Sequence, residues 1–270
     1  MKKEKYLIAV DMDGTLFNSL YEHDLKSTEL LKKLKNDHMV VIATGRPYRS
    51  SGFYHNILEL DTPIINYNGA LVQHRTDPTF PKKLLTIPKE YLFKFIDDTK
   101  EYIHNVFCEI EDDIFVQYKT EHIMPHVHNE GGNLMFGLLP EILKNNPHGA
   151  LVFLKDDYRD ILVKYVEENY NGDFKIRFWK SKDEYIGELY NPKISKGQAL
   201  KDIAEYYNIP RENIIAFGDG ENDIEMLEYA YHGVAMGNSS DLVKAHAKHI
   251  TDNIWNNGVY KFLSEFFNIE

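Results

Sequence analysis

Near its start the chain reads Tyr6-Leu7-Ile8-Ala9-Val10-Asp11-Met12-Asp13-Gly14-Thr15-Leu16. Tyr6 to Val10 is an unbroken apolar run that stops on an acid. It has the length and composition of a strand buried on both faces of a parallel sheet. In open α/β sheets, ligands bind just past the carboxyl ends of the strands, so Asp11 and Asp13 fall where chemistry is expected. With one residue between them, both carboxyls can face one small site, and Gly14 lets the chain turn sharply. Two carboxylates so close repel by on the order of a few kcal/mol at an effective dielectric of about 20. A bound Mg²⁺, which takes oxygen ligands, would relieve that repulsion. The competing reading is an acidic turn that closes a strand, since Asp and Gly are common turn residues. Partners further along the chain decide between the two.

Working outward, Ser27 to Asn36 has the pattern of an amphipathic helix, with Leu30, Leu31 and Leu34 on one face. Met39-Val40-Val41-Ile42-Ala43 is a second buried strand, ending in Thr44-Gly45-Arg46-Pro47. Strand, helix and strand make a βαβ unit with a right-handed crossover, which puts Thr44 at the same kind of strand end as Asp11. A third strand, Pro63 to Tyr67, runs into the turn signal Asn68-Gly69. The breaker cluster Asp77-Pro78-Thr79-Phe80-Pro81 then marks a linker. Between it and Tyr190-Asn191-Pro192-Lys193 the elements no longer alternate simply. A helix over Pro88 to Ile103 is followed by a hairpin around Glu111-Asp112-Asp113, a short helix over Thr120 to His128, and a mixture of strands and helix to Leu189. The alternation resumes with Ser195 as N-cap of a helix from Lys196, a strand Ile214 to Phe217 ending in Gly218-Asp219-Gly220-Glu221-Asn222-Asp223, and further βα pairs to a C-terminal helix over Val259 to Phe267. The expected fold is α/β, a doubly wound, mainly parallel-sheet core of the Rossmann type. Its two pieces, 1–82 and 191–270, flank an inserted α+β domain at 83–190.

With 270 residues, 43% of them hydrophobic and 27% charged, the chain has an ordinary globular composition and room for a sizeable core. A net charge of −11 disfavours nucleic acid and anionic membranes as partners. Any phosphate site must therefore be made positive locally, by a metal, Lys, Arg or helix N-termini. The single cysteine, Cys108, lies in the apolar run Val106 to Ile110 and reads as a core residue. One cysteine, a leading apolar run too short for a signal peptide and no segment long enough to span a membrane place the expected location in the cytoplasm. Oligomeric state has no signature in the sequence.

Carboxylates, a hydroxyl, an amide and one lysine at a single sheet edge compose a phosphate-and-Mg²⁺ site. With those residues in view, the chain resembles the haloacid dehalogenase-like superfamily, specifically its Cof-type phosphatase branch with an inserted α/β cap. The resemblance spans nearly the whole length. It rests on Asp11-Met12-Asp13-Gly14-Thr15-Leu16, Ala43-Thr44-Gly45-Arg46, Asn68-Gly69-Ala70, Ser195-Lys196-Gly197 and Gly218-Asp219-Gly220-Glu221-Asn222-Asp223, in the family's order. It implies a Mg²⁺-dependent phosphatase acting on small phosphorylated metabolites. Asp11 is then the nucleophile that forms an aspartyl-phosphate. Asp13 is the general acid and base. Asp11, the Asp13 backbone carbonyl and Asp219 are Mg²⁺ ligands, with Asp223 a further ligand or support. Thr44 and Gly45 bind the transferring phosphoryl oxygens, and Lys196 neutralises charge on Asp11 and phosphate. Arg46 and Asn222 are expected near the phosphate or the leaving part of the substrate. Lys196 carries a further hint: a cation at a helix N-terminus opposes the dipole, so an anion should compensate it. A phosphomutase on the same core, or a phosphate-sensing module without turnover, are the alternatives.

The insert also holds His122, His126 and His128. The first two are four apart, but Pro125 interrupts the helix that would align them, and no nearby acid or cysteine completes a metal set. They read as solvated surface, and Gly131-Gly132 as a turn.

Overall fold

A computed structural model describes residues 4–19, 22–127, 129–170, 172–181 and 184–269; His128 lies outside the described residues. The chain divides into two compact units. The first runs to Arg46, resumes over Ser51–Lys83 and again from Ser195, while the second holds Pro47–Ser50 and Leu84–Ile194.

The first unit is built on a parallel sheet of Leu7–Val10, Met39–Ile42, Ile214–Gly218, His232–Ala235 and His249–Ile250. In space their order is His249–Ile250, His232–Ala235, Ile214–Gly218, Leu7–Val10, Met39–Ile42. Beyond Met39–Ile42, Ile64–Asn66 joins through one parallel bridge, Ala43 to Ile65. Numbered outward from Leu7–Val10, these six segments lie in the doubly wound order expected from the alternating pattern. The order reverses between Leu7–Val10 and Ile214–Gly218, whose register pairs Leu7 with Ile214 and Val10 with Phe217. Leu7, Ile8, Ala9, Val40, Val41, Ile42, Ile214, Ile215, Ala216 and Phe217 are all without solvent exposure, which is why the runs are continuously apolar and not alternating. On one side Ala199, Leu200, Ile203 and Ala204 of the helix Lys196–Tyr206 pack against Leu7, Ala9, Ile214 and Ala216 in a single apolar cluster.

The second unit is a six-stranded sheet in the order Asn133–Phe136, Asp113–Val116, Ile103–Ile110, Gly149–Leu154, Glu184–Tyr190, Lys175–Ser181. Its pairings are antiparallel except the first, where Asn133–Phe136 runs parallel to Asp113–Val116. Phe95, Leu92, Leu162, Val166 and Tyr170 of the helices Lys89–Thr99 and Arg159–Tyr170 join one core with Val106, Cys108, Val152 and Leu189. Phe107, Ile114, Val116, Phe153 and Ile186 form a separate cluster, covered by Ile123 and Val127 from the connection after Asp113–Val116. Among its described residues that connection contains one short 3-10 turn, Met124–His126, in place of the helix expected over Thr120 to His128; Pro125 offers no backbone donor to extend it. Cys108 is buried, and burial pushes its thiol up, as suits a core residue.

Candidate active site

Leu7–Val10 delivers Asp11 to the point where the sheet order reverses. The Asp11 amide still donates to Phe217 O at 3.0 Å, continuing the ladder by one residue. The chain then folds into a tight loop, with Leu16 N and Phe17 N both donating to Met12 O at 2.8 Å and Gly14 N donating to Phe17 O at 2.8 Å. Gly14 sits at φ +82, and a Cβ there would lie 2.1 Å from Asp219 Oδ2. Only glycine combines this backbone with so close an approach of the Asp219 carboxylate.

Lys196 enters from the first turn of its helix, which Ser195 caps by accepting from Gln198 N at 3.0 Å. Its ammonium donates to Asp11 Oδ1 at 2.6 Å and to Asp223 Oδ1 at 2.7 Å. All three residues are buried. Asp223 in turn accepts on Oδ2 from the amides of Asp219 and Gly220, both at 3.0 Å. Asp219 is held from two directions: Thr15 Oγ1 donates to its Oδ1 at 3.4 Å and Asn238 Nδ2 to its Oδ2 at 3.2 Å. Asn238 also donates to Gly14 O at 2.8 Å, stitching the ends of three strands together.

Three carboxylates face one ammonium here. Burial, with the Asp223 charge adding to it, pushes the Asp219 carboxyl up to about 6 against the pull of Lys196. Burial likewise raises Asp11, with Lys196 opposing. Burial also works against the charge on Lys196, but the two carboxylates beside it outweigh that and hold its ammonium charged. This excess of negative charge fits a divalent cation. One oxygen from each of Asp11, Asp219 and Asp223 lies within 4.8 Å of the others, so the three carboxylates are placed to close on one hard cation with oxygen ligands.

The remaining anticipated residues line the same edge. Thr44 is fully buried and its hydroxyl accepts from Arg46 N at 3.1 Å, so its own proton can be donated elsewhere. A Cβ on Gly45 would come within 3.1 Å of Asn68 Oδ1, the same oxygen that accepts from Asn222 Nδ2 at 2.8 Å. Asn68 itself takes φ +56 in the turn Tyr67–Gly69. Asp13, unlike Asp11, has a half-exposed side chain, and the Arg46 guanidinium grips it with two donors, Nε to Oδ2 at 2.7 Å and Nη2 to Oδ1 at 2.5 Å. The side chain of Asp13 thus stands outside the Asp11–Asp219–Asp223 cluster. Thr15, Asn68 and Asn238 have site contacts that the sequence alone did not assign. Asn238 carries a readable signal, since it follows a strand end, Ala235, on the same sheet edge.

Of the histidines expected at a solvated surface, His122 is exposed and His126 half-buried, and both meet one carboxylate. His122 Nε2 lies 2.7 Å from one Glu184 oxygen and His126 Nε2 lies 3.4 Å from the other. The acid missing from the local sequence comes from a strand 62 residues further on. Gly131 does form a turn, at φ +75, with Gly132 N donating to Asn129 O.

A parallel doubly wound sheet with carboxylates, a lysine and a threonine gathered at its reversal point defines a phosphoryl-transfer class of enzyme. The family described as haloacid dehalogenase-like hydrolase matches residues 8–263, and the chain belongs to it, among its phosphatases. It is 36% identical over the full length of both chains to the 5-amino-6-(5-phospho-D-ribitylamino)uracil phosphatase YitU of Bacillus subtilis. It is 26% identical to the pyridoxal phosphate phosphatase YbhA of Escherichia coli, over 95% of this chain and 97% of that one. Among solved structures, a haloacid dehalogenase-like hydrolase from Bacteroides thetaiotaomicron superposes with a TM-score of 0.82 at 24% identity, covering 98% of this chain and 100% of that one. No helix among the described residues is long and apolar enough to cross a membrane.

Proposed function

We propose that the protein hydrolyses small phosphate monoesters with Mg²⁺ through an aspartyl-phosphate on Asp11, and that a phosphorylated ribitylamino-pyrimidine is its substrate. The observation that carries the chemistry is the buried set Asp11, Lys196, Asp223 and Asp219 at the reversal of the sheet. The substrate class follows from the full-length likeness to a phosphatase of that name. Bound to Asp11, Asp219, the Asp13 carbonyl and Asp223 directly or through water, Mg²⁺ supplies positive charge against the incoming phosphate.

The chain's own groups do the rest. Lys196 fixes the rotation of the Asp11 carboxylate through Oδ1 and, with its charge shared between Asp11 and Asp223, lowers the repulsion between nucleophile and phosphate. Asp11 attacks phosphorus. The bond from phosphorus to the leaving oxygen breaks, and Asp13 delivers its proton to that oxygen. Asp13 then takes a proton from water as the water attacks phosphorus, which breaks the acyl phosphate bond and returns Asp11 as a carboxylate. Thr44 donates its hydroxyl proton, and Gly45 its amide, to phosphoryl oxygens. Before acting as an acid, Asp13 has to part from Arg46 and take up a proton from solvent, which frees the guanidinium to meet phosphate oxygens in its place. The insert, 83–190, selects the leaving alcohol, while 1–82 and 191–270 carry the chemistry. A cytoplasmic location completes the reading, in keeping with the single cysteine, Cys108.

A substrate panel tests the reading. Phosphate release from the ribitylamino-pyrimidine phosphate should exceed that from pyridoxal phosphate and from hexose phosphates in kcat/KM by at least about tenfold, a difference of about 1.4 kcal/mol in transition-state binding, and EDTA should abolish all of it. Equal rates across the panel would remove the substrate assignment, and full turnover in EDTA would remove the metal.

A further inference from the structure

The second unit carries a cluster of its own. His104 lies on Ile103–Ile110, and Glu184 opens Glu184–Tyr190. His122 and His126 belong to the connection between Asp113–Val116 and Asn133–Phe136. One ring nitrogen each from His104 and His122 and one Glu184 oxygen lie within 4.8 Å of one another. The Glu184 carboxylate reaches His122 with one oxygen and His126 with the other, at 2.7 and 3.4 Å. All three imidazoles stand on the ring of Phe153, which is fully buried, at centroid distances of 6.0 Å for His104, 6.2 Å for His122 and 5.3 Å for His126.

We propose that His104, His122 and Glu184 form a site for a first-row transition-metal dication, Zn²⁺ above all, that clips three segments of the second unit together, with His126 against the far oxygen of Glu184. Two imidazoles and one carboxylate are three protein donors of a tetrahedral set whose fourth position a water can take. With bonds of about 2.0–2.1 Å, the edges of such a tetrahedron are about 3.4 Å long. His126 lies 3.4 Å from the other Glu184 oxygen and steadies the carboxylate from that side. The pair His122 and Glu184 is hydrogen-bonded and has to open by less than about 1 Å for an ion to replace the shared proton. The rings are placed without a helix: His122 and His126 meet through the turn Met124–His126, and His104 is brought in by strand pairing. Nitrogen donors favour Zn²⁺, Co²⁺ or Ni²⁺ over Mg²⁺, whereas the all-oxygen cluster around Asp219 has the opposite preference. The two sites thus sort different ions in one chain. The connection that carries His122 and His126 is anchored to the sheet below it by Ile123 and Val127. An ion shared with two strands adds a cross-link beside that apolar anchor. The competing account is a Glu184 carboxylate bridging imidazoles with no metal at all.

The experiment uses the full chain, stripped with a chelator, desalted and kept in millimolar Mg²⁺ to fill the oxygen cluster. Titration with Co²⁺ should produce the visible absorption bands of a tetrahedral, imidazole-bound ion, saturating at one equivalent and bleached by one equivalent of Zn²⁺. In calorimetry with Zn²⁺ alone as titrant, His122→Gln and Glu184→Gln should each lose at least about tenfold in affinity, and His104→Ala with His122→Ala at least about a hundredfold. Asp219→Asn should keep the Zn²⁺ equivalent. Absence of the Co²⁺ bands in the wild-type protein overturns the proposal without recourse to any variant. So does unchanged uptake by the double variant, or loss of the equivalent in Asp219→Asn.

Discussion

Replacing Asp219 by Asn separates two opposite effects of one carboxylate. In the metal-free protein its carboxyl is raised from 3.8 to about 6, chiefly by burial and by Asp223. Each unit of that shift is worth about 1.4 kcal/mol, so about 3 kcal/mol opposes the ionised form. The sign follows from linkage. The folded chain holds this proton more tightly than the unfolded chain. The favourable contribution is therefore fully present below about pH 4 and is lost as pH rises to about 6. The amide that replaces the carboxylate carries no charge to oppose. It offers one acceptor, however, where the carboxylate offered two, to Thr15 and to Asn238. One lost hydrogen bond costs about 1 kcal/mol. The net gain for Asp219→Asn in EDTA at about pH 7.5 is thus about 2 kcal/mol, or about 4–8 °C in Tm for a chain of this size. At about pH 4 the gain should vanish. With millimolar Mg²⁺ the order should reverse, because the wild type gains a ligand-linked stabilisation that the variant forgoes. Thermal melts at the two pH values, with and without Mg²⁺, read all of this. A lower Tm for the variant in EDTA at the higher pH, or an equal Mg²⁺ shift in both proteins, would refute the electrostatic argument.

The same carboxylate sets a second expectation: apparent Mg²⁺ affinity, followed by calorimetry, should weaken by up to about tenfold per pH unit below about 6 as a proton competes for Asp219. Lys196→Met leaves Asp11 and Asp223 buried without their cation; it should cost about 3–5 kcal/mol in denaturant unfolding and lower kcat by about a thousandfold or more in a phosphate-release assay. Gly14→Ala forces a Cβ against the Asp219 carboxylate at a positive φ, and should abolish Mg²⁺ binding in calorimetry while far-UV circular dichroism stays native. Arg46→Ala, which removes both bonds to Asp13, should lower kcat/KM by about tenfold, partly restored in Arg46→Lys, because one charge without the two-pronged geometry recovers attraction but not orientation.

The core and its site edge were largely legible because each strand there is a short apolar run stopping on a polar residue. Tyr6 to Asp11, Met39 to Thr44 and Ile214 to Asp219 all follow that form, and the doubly wound order makes their ends meet. The first helix begins at Leu25, two residues before the expected Ser27, because Asp24 caps it by accepting from Lys26 N and Ser27 N. The helix after Asp219 starts as a 3-10 turn over Glu221–Asp223, since Asp223 bends back to accept from two preceding amides. In the second unit, Asn133–Phe136 escaped the sequence reading: four residues between glycines carry little pattern, and their partner is parallel. Asn68 and Asn238 show in the sequence only as a turn residue and a residue past a strand end, and the roles of Thr15, Asn68 and Asn238 went unassigned because distant pairings with Asp219 and Asn222 make them. His104 and Glu184 were invisible for the same reason. Both lie far from His122 along the chain, and the proximity of the three means something only once the sheet is formed.

The division of labour between Asp11 and Asp13 is tested most directly by trapping the covalent enzyme. The full chain is mixed with ³²P-labelled substrate and Mg²⁺ and quenched in acid within milliseconds; bound ³²P is counted, and the site is then located by reduction with ³H-borohydride, which expels the phosphate and leaves a tritiated residue. The account predicts a hydroxylamine-labile ³²P label whose reduction leaves tritiated homoserine at the position of Asp11. It also predicts that Asp11→Asn takes no label. Label on any other residue, or rapid turnover by the wild type with no label at any quench time, would contradict it.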